Sequence, residues 1–216
     1  MIPEDRRIVD LTMELSRETP VFEGYPQPII HKWTSLKEDG YYSNMIFIVE
    51  HTGTHMDSPA HFVEGAPTID QLSPEKFFGK AVVLDFSGKK PGEAVGEREV
   101  DKALAEAGAS PGRGWYVFFR FDWDRVRGEQ WMRYPYLEDS VAEMLRGLGV
   151  EGIGMDSPSP DYAPFNVHKI LLPEEIVIVE NLSNLASVSG RVFDVVLAPL
   201  KIKGGSASPL RVFALL

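Results

Sequence analysis

The sequence predicts an α/β fold with a mixed sheet, in a single domain that spans residues 1–216. Two observations predict this fold: short apolar runs recur along the chain, and stretches with apolar residues at helical spacing separate them. Most of the runs are apolar at every position, which favours strands that are buried on both faces. The runs that predict strands are residues 8–11, 45–49, 81–86, 115–119, 176–179 and 193–197.

The segments between these runs predict helices. Residues 97–107 and 139–148 each carry apolar side chains three and four positions apart, as an amphipathic helix does. Gly149 follows the second segment and predicts its end, because glycine is favoured just after the last helical turn. Residues 69–78 predict one further short helix.

One segment, residues 121–136, predicts an irregular connection, because its aromatic side chains lie among charges without a clear period. Two interpretations remain open for it. It can be a structural loop with a few buried anchors, or an aromatic wall that contacts a substrate or another subunit. Its aromatic residues after Phe121 are Trp123, Trp131, Tyr134 and Tyr136.

The composition narrows the class of protein. Apolar residues make up 44% and charged residues 25%, which is typical of a globular protein. The net charge of −10 argues against nucleic acids and anionic membranes as partners, since both attract basic surfaces. The chain has no cysteine, an N-terminal segment (1–7) without the apolar core of a signal peptide, and no apolar run of membrane-spanning length. We therefore expect a cytoplasmic protein that acts on a small molecule.

Histidines and carboxylates cluster in a way that predicts a metal site. Residues 51–62 read HTGTHMDSPAHF, so His51, His55, Asp57 and His61 fall within eleven residues. Imidazole and carboxylate groups are the ligands of zinc, manganese and iron sites. Two imidazoles and one carboxylate leave coordination positions open, as a catalytic site requires.

The spacing of this cluster constrains its conformation. A helix would place Asp57 away from His51 and His55, and Pro59 opposes a helix interior. All four side chains are odd-numbered, so an extended chain directs them to one side, and Gly53 allows the chain to curl and bring them together. We therefore expect a strand at residues 45–50 and the ligands on an irregular turn after it.

Two further candidates lie downstream, at His168 and Glu180. Glu180 ends an apolar run, where a carboxylate needs a partner or changes its pKa. By spacing alone, an arginine or a backbone N–H is as good a partner for it as a metal. The remaining histidine, His31, stands apart from all these groups.

The motif resembles the H-x-G-T-H-x-D-x-P-x-H-F signature of the cyclase-like metal-dependent hydrolases, the family of bacterial kynurenine formamidases and isatin hydrolases. Residues 152–161 resemble its G-I-D-x-x-S-x-D stretch, and the resemblance covers most of the chain. It implies a swivelling β/β/α domain that forms a homodimer or homotetramer. One departure lies at residues 22–25, where Phe-Glu-Gly-Tyr replaces an aromatic-Pro-Gly-Asp turn that shapes the substrate pocket.

The resemblance also implies roles for individual residues. His51, His55 and Asp57 would hold one divalent metal, and Asp57, His168 and Glu180 a second. His61 would be the catalytic acid/base. Zn²⁺ is the expected ion, with Mn²⁺ or Fe²⁺ as alternatives and one or two ions per chain.

The sequence therefore predicts a metal-dependent amidohydrolase that uses metal-activated water. Its expected substrate is an aryl formamide such as N-formylkynurenine. Two alternatives stay open: a hydrolase of cyclic amides or lactones, and a non-catalytic metal-binding assembly module.

Overall fold

A computed structural model of the chain describes residues 7–216. Residues 1–6, which make up most of the N-terminal segment considered above, lie outside the described residues. The strands are β1 (Ile8–Asp10), β2 (Ile29–Thr34), β3 (Ser43–Phe47), β4 (His55–Asp57), β5 (Phe78–Asp85), β6 (Ala94–Val95), β7 (Trp115–Arg120), β8 (Tyr136–Leu137), β9 (Gly152–Met155), β10 (Val177–Glu180), β11 (Val192–Pro199) and β12 (Ala207–Leu215). The helices are α1 (Leu36–Asp39), α2 (Glu97–Glu106), α3 (Asp139–Leu148) and α4 (Asn166–Leu171).

Eight strands form one mixed sheet in the order β1-β12-β11-β5-β7-β9-β10-β4. Strands β5, β7, β9 and β10 are parallel neighbours, whereas β11, β12 and β4 join antiparallel. Strand β4 also pairs with β12, which closes the sheet into a barrel-like ring. The predicted α/β class with a mixed sheet is confirmed.

The apolar strands divide their side chains between two cores. Along β5, Val82 and Leu84 join the core that the main helices cover, while Ala81 and Val83 join the core enclosed by the closed sheet. This alternation follows from the two-residue period of a strand, and it explains why these runs are apolar at every position. The second core includes large aromatic rings, and Gly154 of β9 makes room for one of them: a Cβ there would lie 2.7 Å from Phe118.

Two predicted helices are confirmed, and some other predicted elements are wrong. Helix α3 has the predicted bounds, and Gly149 follows it with φ of 65° and donates its N–H to the last turn. Residues 69–78 contain two short 3₁₀ turns instead of a helix, since Pro74 interrupts the segment. The predicted strand 45–49 is β3, which lies outside the main sheet and is exposed, not buried.

Within residues 7–216, no helix combines the length and the apolar character that crossing a membrane requires.

Candidate metal centre

Strand β4 carries two of the predicted ligands into the closed sheet. Its pairing with β10 places His55 opposite Glu180, and opposed residues of an antiparallel pair share a face. Asp57 lies two residues along β4 and points to the same face. The expectation that His55 and Asp57 occupy an irregular turn is therefore wrong. The three-residue strand HMD gives little apolar signal, because two of its side chains, His55 and Asp57, face the site while only Met56 joins the apolar core.

The segments that flank β4 bring two more histidines to the same place. Before it, Gly53 adopts φ of 66° and turns the chain, as its flexibility predicted. His51 then lies with its Nδ1 2.9 Å from Asp57 Oδ1. After β4, a 3₁₀ turn at Pro59–His61 positions His61, whose ring centroid is 4.1 Å from that of His51.

The downstream histidine approaches from helix α4. His168 Nε2 lies 3.5 Å from Glu180 Oε1 and 3.7 Å from Asp57 Oδ2. Its other nitrogen, Nδ1, is 2.8 Å from Asp161 Oδ1, and Asp161 Oδ2 accepts the backbone N–H of Val167 at 2.7 Å. Asp161 therefore fixes both the ring and the first turn of α4.

The five predicted ligands thus converge. His55 Nε2 lies 3.2 Å from Glu180 Oε2 and 3.4 Å from Asp57 Oδ1, so Asp57 stands between the upstream and downstream groups. Two overlapping sets have ligand atoms within 4.8 Å of one another: His51, Asp57 and His61, and His55, Asp57 and Glu180. The first set places His61 close enough to bind an ion, so its separate role as acid/base stays a prediction.

The hydrogen bonding of this cluster fits a divalent cation. His55 Nδ1 lies 2.9 Å from the carbonyl of Gly53 and His168 Nδ1 faces Asp161, so each outer nitrogen acts as the donor to an acceptor. The inner nitrogens then present lone pairs to carboxylate oxygens, which also carry lone pairs. His55 Nε2 and both oxygens of Asp57 are buried without a hydrogen bond. A divalent cation held by these groups would resolve this conflict.

The electrostatics of the centre favour positive charge. Burial opposes a charged imidazole, yet the adjacent carboxylates of Asp57 and Glu180 outweigh it and raise the pKa of His55 to about 10. Burial likewise opposes ionisation of Asp57, but the adjacent His51, His168 and His55 hold the pKa of that carboxyl well below its usual range. The buried carboxylates therefore create a negative potential that a metal ion would neutralise.

His61 differs from the other three site histidines. Burial lowers its pKa, and the charge of Asp57 only partly offsets this. Among residues 7–216, no group hydrogen-bonds to its ring nitrogens, whereas both nitrogens of His51 have close polar neighbours. His61 therefore combines an uncommitted nitrogen with a place beside the cluster.

The cluster opens into a cavity of about 250 Å³. Apart from the site histidines and Glu180, its walls are mainly aromatic and include Trp131, a buried residue of the irregular segment 121–136. Trp123 and Tyr134 of that segment are also buried. The segment is therefore an irregular loop with buried anchors, one of which lines the cavity. The other lining residues are Phe22, Glu23, Tyr25, Phe62, Pro158, Ser159, Phe165 and Asn181.

Two residues that contact the site histidines were not identified from the sequence. Asp161 lies seven residues before His168, and its place in the stretch 152–161 is a signal that could have identified it. Ser206 lies 155 residues after His51, and its Oγ is 3.2 Å from His51 Nε2. No local pattern connects these two residues, because only the closure of β4 onto β12 brings them together.

Comparison with known proteins decides the family. The model of the putative cyclase family matches residues 9–162. The chain belongs to the putative cyclase family. The kynurenine formamidase of Salinibacter ruber is 30% identical and aligns over 94% of this chain and 95% of its own. The isatin hydrolase of Roseibium aggregatum is 26% identical over 96% and 91%.

Solved structures agree with this membership of the cyclase family. Isatin hydrolase A from Labrenzia aggregata, bound to benzyl benzoate, superposes with a TM-score of 0.90 at 26% identity. The match covers 98% of this chain and 94% of that one. This cyclase-family chain is therefore a hydrolase, and its cluster of imidazoles and carboxylates suits a divalent metal.

Proposed function

We propose that the protein hydrolyses a small aryl amide in a metal-dependent reaction, with an aryl formamide such as N-formylkynurenine as the first candidate substrate. One observation carries the proposal: four of the five predicted ligands, His51, His55, His168 and Glu180, line the same aromatic cavity as the uncommitted His61. His51, His55 and Asp57 would hold one ion, and Asp57, His168 and Glu180 a second.

The residues of the chain divide the chemistry between them. A divalent metal bound by these side chains supplies a water of lowered pKa and polarises a carbonyl. His61 takes a proton from the attacking water and returns it to the amide nitrogen as the C–N bond breaks. That transfer matters because an unprotonated amide nitrogen is a poor leaving group. The aromatic walls exclude bulk water and hold the aryl ring against the centre.

The cavity supports an aryl substrate of modest size. Phe22, Tyr25, Phe62, Trp131 and Phe165 offer apolar surface, and the volume of about 250 Å³ suits one aromatic ring with a short substituent. Among the described lining residues there is no arginine or lysine, so a substrate carboxylate would lack a cationic side chain there. Glu23 could instead bind an ammonium group of the substrate, such as the α-ammonium of an amino acid substituent on its aromatic ring.

A cyclic amide such as isatin is the second candidate. The specific observation in its favour is the superposition on isatin hydrolase A, with a TM-score of 0.90. Opening a cyclic amide breaks the same type of bond and uses the same groups. Enzymes that act on the two candidate substrates would share the metal ligands and differ in the cavity wall. Residues 22–25 lie in that part of this chain and depart from the turn that the family resemblance implies.

The proposed metal is Zn²⁺, with Mn²⁺ and Fe²⁺ as alternatives, because imidazole and carboxylate ligands accept all three. Elemental analysis of protein purified without chelator identifies the ion. The same preparation is then assayed with N-formylkynurenine, isatin and simple lactones. We expect chelator to abolish turnover and one of these ions to restore it. Turnover that survives complete metal removal contradicts the proposal, and metal-dependent stability without turnover supports the assembly module instead.

The role of His61 has its own test. We expect His61→Ala to keep the metal content of the wild type and to lose 10²- to 10⁴-fold in kcat, the usual range for a general acid/base. Metal content serves as the internal control, since His61 lies near enough to His51 and Asp57 to bind an ion. A variant that loses metal as well as activity makes His61 a ligand.

A further inference from the structure

Six buried side-chain polar atoms have no hydrogen-bond partner within residues 7–216. Three of them, His55 Nε2 and both oxygens of Asp57, belong to the metal cluster described above. The other three belong to Thr52, Trp131 and Asn181, and of these residues Trp131 and Asn181 line the aromatic cavity. Because an indole nitrogen only donates, the unpartnered acceptor of these two residues is the side-chain oxygen of Asn181, Oδ1.

The backbone of Asn181 is fixed beside the cluster. This residue directly follows Glu180, the last residue of β10. Its N–H donates to the carbonyl of Ser157 at 3.0 Å, and its own carbonyl accepts the hydroxyl of Thr54 at 2.6 Å. Ser157 lies just after β9, the parallel neighbour of β10, so the two residues meet where the carboxyl ends of parallel strands lie side by side. Ligand sites of α/β proteins collect at such edges.

The side chain of Asn181 differs from that of Asn184, three residues further on. Both residues adopt the left-handed conformation, with φ of 55° and 62°, which asparagine tolerates better than most residues. The amide of Asn184 accepts the hydroxyl of Ser187 at 2.8 Å and donates to the carbonyl of Asp10 at 3.3 Å. The side-chain oxygen of Asn181 has no such bond within residues 7–216, although only 3% of the residue is exposed.

The chemistry of this oxygen selects its partner. A buried acceptor without a donor is unfavourable, so a molecule that brings an N–H to it gains affinity. In the proposed reaction the metal polarises the carbonyl oxygen of the scissile bond, which leaves the amide N–H as the donor beside it. An ester or a lactone has an oxygen at that position, and its lone pairs would face those of Asn181. An N-substituted amide has no proton to donate there.

We propose that Asn181 accepts a hydrogen bond from the N–H of the scissile amide and thereby selects secondary amides over esters, lactones and N-substituted amides. This inference rests on the proposed function and narrows its substrate class. Open-chain formamides and cyclic amides both belong to the class, since both carry the N–H, whereas lactones do not. A site built around a substrate N–H rejects analogues that lack it, because its own polar group is then left unpaired.

Two pairs of substrates test the contact. Formanilide and phenyl formate differ in whether an N–H or an oxygen joins the ring to the formyl group. Isatin and N-methylisatin differ in whether the ring nitrogen carries a proton or a methyl group. The measured quantity is the preference, which is the ratio of kcat/KM for the N–H member of a pair to kcat/KM for its partner. This ratio cancels differences in the active fraction between preparations.

The test variant is Asn181→Gly, which removes the amide, while glycine adopts the left-handed backbone without strain. We expect the preference to fall about 10- to 100-fold in both pairs, because the substrate N–H is then buried without a partner. For phenyl formate alone, kcat/KM should change less than about threefold, since this substrate has no N–H to lose. Metal content should equal that of the wild type.

The matched control is Asn184→Gly, which makes the same change in the same backbone conformation, where the amide is bonded within the protein. We expect this variant to keep the wild-type preference. Near-UV circular dichroism of both variants checks that the fold is retained.

The outcomes separate the two levels of the argument. A wild type that hydrolyses neither formanilide nor isatin contradicts the proposed function itself. Three outcomes leave that function intact and overturn the role of Asn181: the wild-type preference in Asn181→Gly, equal losses for both members of a pair, and a comparable loss in Asn184→Gly. The first would mean that Asn181 serves only the left-handed turn, and the second that it acts on the shared carbonyl or on the metal.

Discussion

The proposed upstream ligands, His51, His55 and Asp57, are held in a different way from the proposed downstream ligands, His168 and Glu180. Neutral acceptors orient the upstream imidazoles: the carbonyl of Gly53 contacts His55, and the hydroxyl of Ser206 contacts His51. A carboxylate, Asp161, orients His168. A carboxylate behind an imidazole makes the opposite nitrogen a stronger donor to a metal.

This difference indicates how one centre could offer two metal positions with unlike surroundings. The upstream group draws its shape from the short segment 51–57, where strand pairing and a curled glycine set the geometry. The downstream group depends on packing of α4 and on buried negative charge from Asp161 and Glu180. We therefore expect the downstream position to respond more strongly than the upstream one to the loss of a charge.

The largest effect should follow from Asp57→Asn, because Asp57 faces both groups. The amide keeps the shape of the side chain but removes its charge and leaves one oxygen, instead of two, to bind a cation. We expect the variant to lose essentially all bound metal in elemental analysis. Its near-UV circular dichroism should stay close to that of metal-free wild type. Wild-type metal content would show that the two groups do not share this residue.

Glu180→Ala should remove only the downstream position. If two ions bind, the metal content should fall by about one per chain, because His168 alone is a poor site. Glu180→Gln is the matched variant, which keeps the length of the side chain and removes its charge. An unchanged content in both variants would leave a single upstream ion.

The sequence predicted the upstream group well, because its information is local. Four site residues within eleven positions are a recognisable pattern, and Gly53 adopts the left-handed conformation that the curled chain requires. The strand β4 was not predicted. Its residues, His55, Met56 and Asp57, lack the apolar alternation that identifies strands, since two of them face the site.

The sequence pointed to His168 and Glu180 of the downstream group, but not to the residues that support them. The apolar run before Glu180 identified β10, whereas the contact between Asp161 and His168 forms only when α4 packs in place. The burial of strand β3 was predicted wrongly for a related reason. The apolar residues of β3 resemble those of a buried strand, and only the three-dimensional fold reveals that, within residues 7–216, β3 pairs with β2 alone.

Asp161→Asn should weaken the downstream ion 10- to 100-fold and leave the upstream ion nearly unchanged. The amide oxygen can still accept from His168 Nδ1, so the change removes the charge and keeps this hydrogen bond, while the amide nitrogen no longer accepts the N–H of Val167. Stepwise zinc titration against a chromophoric chelator separates the two affinities. Equal weakening of both ions would mean that Asp161 acts on the whole centre, which would end the contrast between the two groups.

The smallest effect on metal should come from Asp156→Asn, although Asp156 is as deeply buried as Asp161. Asp156 accepts backbone N–H groups from Phe121 and Trp123, and among the described residues it forms no hydrogen bond with a histidine. Burial raises its pKa to about 7, partly offset by those hydrogen bonds. The folded protein thus binds a proton more tightly than the unfolded chain, whose pKa is near 3.8.

The contribution of Asp156 to stability is therefore fully present below about pH 4 and is lost as the pH rises towards 7. The stability of Asp156→Asn relative to the wild type, measured as the difference in free energy of unfolding, should rise by about 2 kcal/mol from pH 5 to pH 8. Urea unfolding at both pH values measures this difference, with unchanged metal content as the control. A stability difference that is the same at both pH values would mean that Asp156 is ionised in the folded protein. The interior would then stabilise its charge without a neighbouring imidazole, whereas Asp161 has the imidazole of His168 beside it.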